Sequence, residues 1–184
     1  MTFDDQEYLQ RYPFIDRVLI SSEQITLRVR QLGNEISRDY QDRTPIMVCI
    51  LKGAYPFLAD LTRCMSVEHE VDFMAVSSYD GGTQSTGVVK IEKDLKSNIT
   101  DRDIILVEDI IDTGLTIAHL GELLQTRNPR SIRVASLLDK KPARQNDVDL
   151  HYVGFEIPNE FVIGFGLDYD EKYRNLPFIG IMKA

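Results

Sequence analysis

The stretch from Ile104 to Thr116 constrains the fold more than any other part of the chain. It opens with four apolar β-formers, Ile104 to Val107, a short run that reads as a strand buried on both faces. Carboxylates follow at Glu108, Asp109 and Asp112, then the small residues Thr113, Gly114 and Thr116, then an amphipathic run from Ile117 to Leu124. Open α/β sheets build their sites from this succession of strand, acidic turn and helix, at the carboxyl ends of the strands. Gly114 lets backbone approach a ligand or take positive φ. The amides from Asp112 to Thr116 open the helix, and free amides at a helix start bind anions. With the hydroxyls of Thr113 and Thr116, the loop can hold a phosphate. Glu108 and Asp109, at the strand end, can hold hydroxyls or a hydrated Mg²⁺, which takes one or two carboxylates plus substrate oxygens. Asp112 either caps the helix or is free to act as a base.

The rest of the chain supplies the sheet around that strand. Residues 1–20 carry aromatic anchors (Phe3, Tyr8, Tyr12, Phe14) before Val18, Leu19 and Ile20, and read as a docked arm ending in a short strand. Ser21 to Gln24 resembles a capping box, and Ile25, Val29, Leu32, Ile36 and Tyr40 recur at helical spacing. Ile46 to Leu51 is a second fully apolar strand, turned by Lys52, Gly53 and Ala54. Pro56 suits the first turn of the next helix, to about Met65, and Val71 to Tyr79 is the next strand. Two strands joined by a helical crossover are parallel. Asp80 to Gly87 has no apolar residue and reads as a mobile loop, with a return strand from Val88 to Lys93. A helix at 116–126 and a strand from Ile132 to Leu138 complete a second such unit. Tyr152 to Phe155, Phe161 to Gly164 and Ile179 to Met182 read as short strands of a small irregular subdomain.

Composition narrows the function. A chain of 184 residues with 43% hydrophobic content suits one globular domain. Its net charge of −8 excludes long-range attraction to nucleic acid or an anionic membrane surface, so an anionic substrate needs local cations and amides. No apolar run reaches the ~18 residues of a membrane span. The acidic start from Met1 to Asp5 is unlike a leader peptide. Cys49 and Cys64 lie in apolar contexts without metal spacing, as reduced cysteines of a cytoplasmic protein do. His69, His119 and His151 show no metal spacing either.

The string from Ile104 to Thr116 resembles the ribose-phosphate signature of the type I phosphoribosyltransferases: apolar run, two acids, two apolar residues, then Asp-Thr-Gly-x-Thr. A second segment, Glu156 to Tyr169, is similar to the base-recognition segment of the hypoxanthine-guanine phosphoribosyltransferases, nearer their bacterial form. Together the resemblances span about residues 46–174. They imply an α/β phosphoribosyltransferase fold, with a central, mostly parallel sheet flanked by helices. A core of about 40–143 would carry a small hood from about 1–20 and 144–184. They imply purine salvage, with the 5-phosphoribosyl group passing from phosphoribosyl pyrophosphate to hypoxanthine or guanine to give IMP or GMP and pyrophosphate.

Residue by residue, the resemblance gives the loop Asp112, Thr113, Gly114, Leu115 and Thr116 the 5-phosphate, and Glu108 and Asp109 the ribose hydroxyls. Leu115 departs from the lysine of other members, which suggests weaker phosphate affinity. Lys52 and Gly53, otherwise an ordinary strand-to-helix turn, would contact pyrophosphate, with a cis bond expected at Lys52–Gly53. Ser78 and Tyr79 would begin a closing lid that shields an oxocarbenium-like centre from water, and Arg174 would add a guanidinium to the pyrophosphate. Lys140, otherwise a solvated lysine, would donate to the six-position oxygen of the purine, with Asp139 beside it able to tune it. Phe161 would stack on the base and Val162 would offer backbone to its edge, although Phe161 to Ile163 alone reads as a core strand. Glu108 and Asp109 would orient a hydrated Mg²⁺, and Asp168 would bind a second Mg²⁺ on the pyrophosphate side. Asp112 would take a proton from the purine's imidazole ring as its other nitrogen attacks C1. Family habit suggests a homodimer or homotetramer. A xanthine-preferring enzyme shares these motifs. An RNA-binding regulator of the same fold and a pure nucleotide-binding module are the other classes. The acidic charge, the lid and Lys140 argue against the regulator; a pure nucleotide-binding module would need neither the base nor the lid.

Overall fold

The computed structural model describes residues 5–78 and 89–183. Its elements are α1 (Asp5–Arg11), β1 (Ile15–Ile20), α2 (Ser22–Asp39), β2 (Ile46–Leu51), α3 (Tyr55–Arg63), β3 (Glu70–Ser78), β4 (Val89–Lys93), β5 (Asp103–Ile111), α4 (Leu115–Gln125), β6 (Ser131–Asp139), β7 (Tyr152–Glu156), β8 (Val162–Ile163) and β9 (Ile179–Met182), with one 3-10 turn at Lys141–Ala143.

Six strands form the main sheet in the order β4-β3-β2-β5-β6-β7. β2, β3, β5, β6 and β7 run parallel, and β4 returns antiparallel on β3. The continuous apolar runs are explained by burial on both faces. Met47, Cys49, Ile105 and Val107 point toward α2 and α3, where they meet Val29, Leu32, Phe57 and Leu61. Ile46, Val48, Ile104 and Leu106 point the other way, onto Ile117, Leu120 and Leu124 of α4. Successive residues therefore serve opposite layers, as the two-residue period of a strand requires. α2 starts on the capping box read from the sequence, with Ser21 Oγ accepting from Gln24 N at 3.3 Å and Ser21 N donating to Gln24 Oε1 at 2.8 Å.

The arm before β1 is helical over Asp5–Arg11, where only a docked segment was expected, and Tyr8 on it meets the Phe178 ring edge-on at 5.7 Å. β1, β9 and β8 make a small antiparallel sheet from both ends of the described chain. The expected hood boundary at 144 is corrected: β7 pairs in parallel with β6, Ala135 opposite Tyr152 through Asp139 opposite Glu156, so this segment belongs to the main sheet. The small sheet shares the main core, since Ile20, Val162, Ile179 and Ile181 pack in the same cluster as Met47 and Ile105.

β5 is longer than the apolar run suggested. Its ladder with β2 ends at Val107 opposite Cys49, while its ladder with β6 continues to Ile111 opposite Asp139. Glu108 and Asp109 are therefore strand residues held on the β6 side and open on the β2 side. The order of the sheet reverses between β2 and β5, which puts the crevice at their carboxyl ends, where ligands of open α/β sheets bind.

Candidate active site

The phosphate loop sits where β5 runs into α4. Gly114 is the helix N-cap at φ 82°, and no side chain caps the helix, so Asp112 does not spend its carboxylate there. Ala118 N is the first amide to bond back, to Gly114 O at 3.0 Å. The preceding amides of α4 have no intrahelical acceptor, and such amides at a helix start can bind an anion. Thr113 Oγ1 accepts from Leu115 N at 3.4 Å. Glu108, Asp112, Thr113, Gly114 and Thr116 line a cavity of about 100 Å³, room for one phosphate and little more.

Behind this loop runs segment 139–148, and here the sequence reading missed a component. Gln145 N and Asn146 N both donate to Thr113 O at 3.0 Å. Arg144 Nε donates to Asp112 O at 3.2 Å, and its Nη2 pairs with the buried Asp139. Asp139 therefore pairs with Arg144. Arg144 follows a 3-10 turn in a stretch with no periodicity, so no spacing marked it. Lys140 itself is only 9% exposed, not a solvated lysine, and its Nζ lies 3.3 Å from Asp112 Oδ2. The expected purine lysine and the expected base thus meet at the edge of the phosphate loop.

A second cluster faces the open side of β5. A cis peptide is present one bond earlier than expected, at Leu51–Lys52 instead of Lys52–Gly53. A Cβ on Gly53 would lie 1.6 Å from Asp109 Oδ2, and a Cβ on Gly166, at φ 103°, would lie 2.0 Å from Gly53 O. Two glycines thus let the Lys52 turn, the Asp109 carboxylate and the segment before Asp168 share one close contact. Arg174 Nη1 donates to Gly166 O at 2.8 Å, and its Nη2 lies 3.0 Å from Asp168 Oδ1. Phe161 is 56% exposed while Val162 and Ile163 are buried, so Phe161 is no core residue. Its ring meets Tyr169 edge-on at 6.0 Å. Of the lid, the described chain stops at Ser78, at the end of β3; the expectations for Tyr79 and the loop to Gly87 lie outside the described residues.

Burial sets the protonation of the acid pair. Glu108 is held well above the ordinary carboxylate range by desolvation first and by the Asp109 charge second. Asp109 is pushed up to about 6, mainly by desolvation, against an opposing backbone hydrogen bond from Ile110 N and the nearby Arg174 charge. A carboxyl whose folded pKa is raised favours the folded state below its unfolded pKa near 3.8, and that benefit is lost as pH rises through about 6. In urea unfolding with a metal chelator present, the parent should lose stability between pH 4 and 7 relative to Asp109→Asn, by up to about 3 kcal/mol. Parallel pH profiles for the two proteins would contradict the assignment.

Gly53→Ala tests the close contact. The added methyl must expel the Asp109 carboxylate, and displacement of a positioning group by about 1 Å costs about 100-fold in catalysis. A drop of that order in kcat/KM is expected, with an unchanged far-ultraviolet circular dichroism spectrum.

Known proteins resemble this chain in sequence and fold. The family model described as phosphoribosyl transferase domain matches residues 19–170, and the chain belongs to the phosphoribosyltransferase family. Within it, the similar proteins are purine-directed. The hypoxanthine-guanine phosphoribosyltransferase of Bacillus subtilis (strain 168) is 50% identical over 169 residues, covering 92% of this chain and 94% of the relative. That of Streptococcus thermophilus (strain CNRZ 1066) is 48% identical over the same shares. The crystal structure of a hypoxanthine phosphoribosyltransferase from Staphylococcus aureus superposes with a TM-score of 0.91 at 45% identity, covering 95% of each chain.

Proposed function

We infer that this chain is a purine-salvage transferase that moves the 5-phosphoribosyl group from phosphoribosyl pyrophosphate to hypoxanthine or guanine, giving IMP or GMP and pyrophosphate. The observation that carries the reading is the 3.3 Å contact between Asp112 and Lys140 at the rim of the phosphate loop. A purine entering there meets an acceptor for its imidazole proton and a donor for its six-position oxygen side by side. The loop 112–116 grips the 5-phosphate, with backbone amides serving where Leu115 replaces a lysine. Glu108 and Asp109, at the carboxyl end of β5, would hold the ribose hydroxyls; a hydroxyl can bond a neutral Glu108 as well as a charged one. Lys52, Gly53 and Arg174, with the lid from Ser78 and Tyr79, take the leaving pyrophosphate. Phe161 covers the base through its π-face, and Val162 meets the base edge. Asp112 takes the imidazole proton as the other ring nitrogen bonds to C1 and the bond to pyrophosphate breaks.

Mg²⁺ fits the donor set. Among the described residues no three His, Cys, Asp or Glu side chains converge as a ready cage, and Mg²⁺ characteristically takes one or two carboxylates plus water and substrate oxygens. Asp109 and Asp168, both beside Arg174, are hard oxygen donors whose mutual repulsion a divalent cation relieves, with Glu108 next to them. When bound, Mg²⁺ supplies charge neutralisation for the departing pyrophosphate. Among the described residues no helix is long and apolar enough to cross a membrane. A cytoplasmic homodimer or homotetramer is the working form of this reading, which light scattering checks.

The test is a spectrophotometric assay with phosphoribosyl pyrophosphate, Mg²⁺ and, separately, hypoxanthine, guanine, xanthine and adenine. Turnover of the first two and silence with adenine are expected. Silence with all four, while phosphoribosyl pyrophosphate still binds, would leave a ribose-phosphate-binding protein and overturn the enzyme.

A further inference from the structure

Three acids and two cations crowd the pyrophosphate side of the site, and one of the acids has no part in the reaction as described. Glu171 Oε2 lies 3.0 Å from Lys52 Nζ and 3.3 Å from Arg174 Nη2, so a single oxygen bridges both cations assigned to pyrophosphate. Its place is held by the backbone. Asp170, Glu171 and Tyr173 all take positive φ, at 54°, 59° and 71°, a conformation that side-chain-bearing residues rarely adopt and that marks functional segments. Glu171 N donates to Asp168 Oδ2 at 2.9 Å, and Tyr169 and Lys172 exchange both backbone hydrogen bonds at 3.1 Å. The turn thus folds back and aims the Glu171 carboxylate at the two cations. The pair with Lys52 is open to water, with side chains 69% and 65% exposed, so it can exchange with a solute anion.

We propose that Glu171 is a positioning residue that stands in for pyrophosphate, holding Lys52 and Arg174 together in the empty site and yielding them when a polyphosphate arrives. The proposal rests on the assignment of those two cations to pyrophosphate. It has a consequence opposite to that of a contact made to bind the ligand. An internal anion competes with the ligand for the same donors, so the carboxylate lowers affinity for pyrophosphate while keeping the cations aligned. It thereby favours release of the product. Asp168 shares Arg174 Nη2 with Glu171, at 3.0 Å, but among the described residues Glu171 alone reaches both cations, and Asp109 is packed against Gly53.

The measurement is pyrophosphate binding by calorimetry, with and without Mg²⁺, to the full chain and to Glu171→Gln, an isosteric change that removes the charge and leaves the backbone bond to Asp168. Because the pair is exposed the effect is modest, a Kd lower by about two- to fivefold in the variant. The difference should shrink as salt is raised, with Tm unchanged. Glu171→Ala should move Kd in the same direction. Weaker or unchanged binding in both variants would overturn the proposal and make Glu171 a strut of the turn. Lys52→Gln and Arg174→Gln separate this from failure of the underlying reading. If those variants bind pyrophosphate as the parent does, the assignment of the cations falls, and the role of Glu171 with it. If they weaken binding while Glu171→Gln does not strengthen it, only the role of Glu171 falls.

Discussion

Asp112→Asn should lower kcat by about 100- to 1000-fold, the range a positioned general base supplies, while Kd for phosphoribosyl pyrophosphate changes by less than about threefold. The geometry gives the reason for the split. In the proposed reading the loop amides and the Thr113 and Thr116 hydroxyls would hold the 5-phosphate, and none of them needs the Asp112 carboxylate; Gly114, not Asp112, caps α4. The carboxylate points instead to Lys140, 3.3 Å away, where the purine is to enter. Asparagine keeps the shape and can still accept a hydrogen bond from Lys140, but it cannot take the imidazole proton at neutral pH. Single-turnover kinetics with a separate equilibrium titration of phosphoribosyl pyrophosphate resolve the two quantities. Equal turnover by variant and parent would remove Asp112 as the base.

Arg144→Ala should be the most destabilising substitution near the site. Asp139 is 3% exposed, and removing its guanidinium partner leaves a buried carboxylate without a counter-charge, at about 3 kcal/mol or more. For a domain of this size that is a fall in Tm of roughly 6–12 °C. Activity should suffer at permissive temperature too. Arg144 also donates to Asp112 O at 3.2 Å, so its loss unpins the base and the loop together, and KM should rise for both substrates. Asp139→Asn with Arg144→Met, which removes both charges, should recover most of the stability because no buried charge is then left unpaired. It should not recover the catalytic loss, because the bond to the Asp112 carbonyl is still missing. A double variant as unstable as Arg144→Ala would assign the effect to packing.

The parts of this fold legible in the sequence were those written in local periodicity or in a contiguous string. The four-residue run from Ile104 to Val107 announced a strand buried on both faces, and the capping box at Ser21 announced α2. The loop from Asp112 to Thr116 was readable because a phosphate grip is built from neighbouring amides. What could not be read depended on contacts between distant segments. The length of β5 is fixed by β6, whose ladder continues four residues beyond the last contact with β2. β7 joined the main sheet because β6 offered it an edge, although its sequence resembles the short strands that follow. Arg144 and Glu171 look like ordinary surface charges in sequence; each gains meaning only through a partner, Asp139 with the Asp112 carbonyl for the first, Lys52 with Arg174 for the second. Phe161 shows the limit of pattern in the other direction. It begins an apolar run that reads as core, and the fold leaves its ring exposed beside Tyr169.

Transfer of the phosphoribosyl group to the purine is tested most directly by its stoichiometry. The protein is incubated with phosphoribosyl pyrophosphate, hypoxanthine and Mg²⁺, and nucleotide and pyrophosphate are quantified from the same sample. IMP and pyrophosphate are expected in equal amounts, with both abolished by chelating the metal. Pyrophosphate released without nucleotide, or neither product while phosphoribosyl pyrophosphate remains bound, would contradict it.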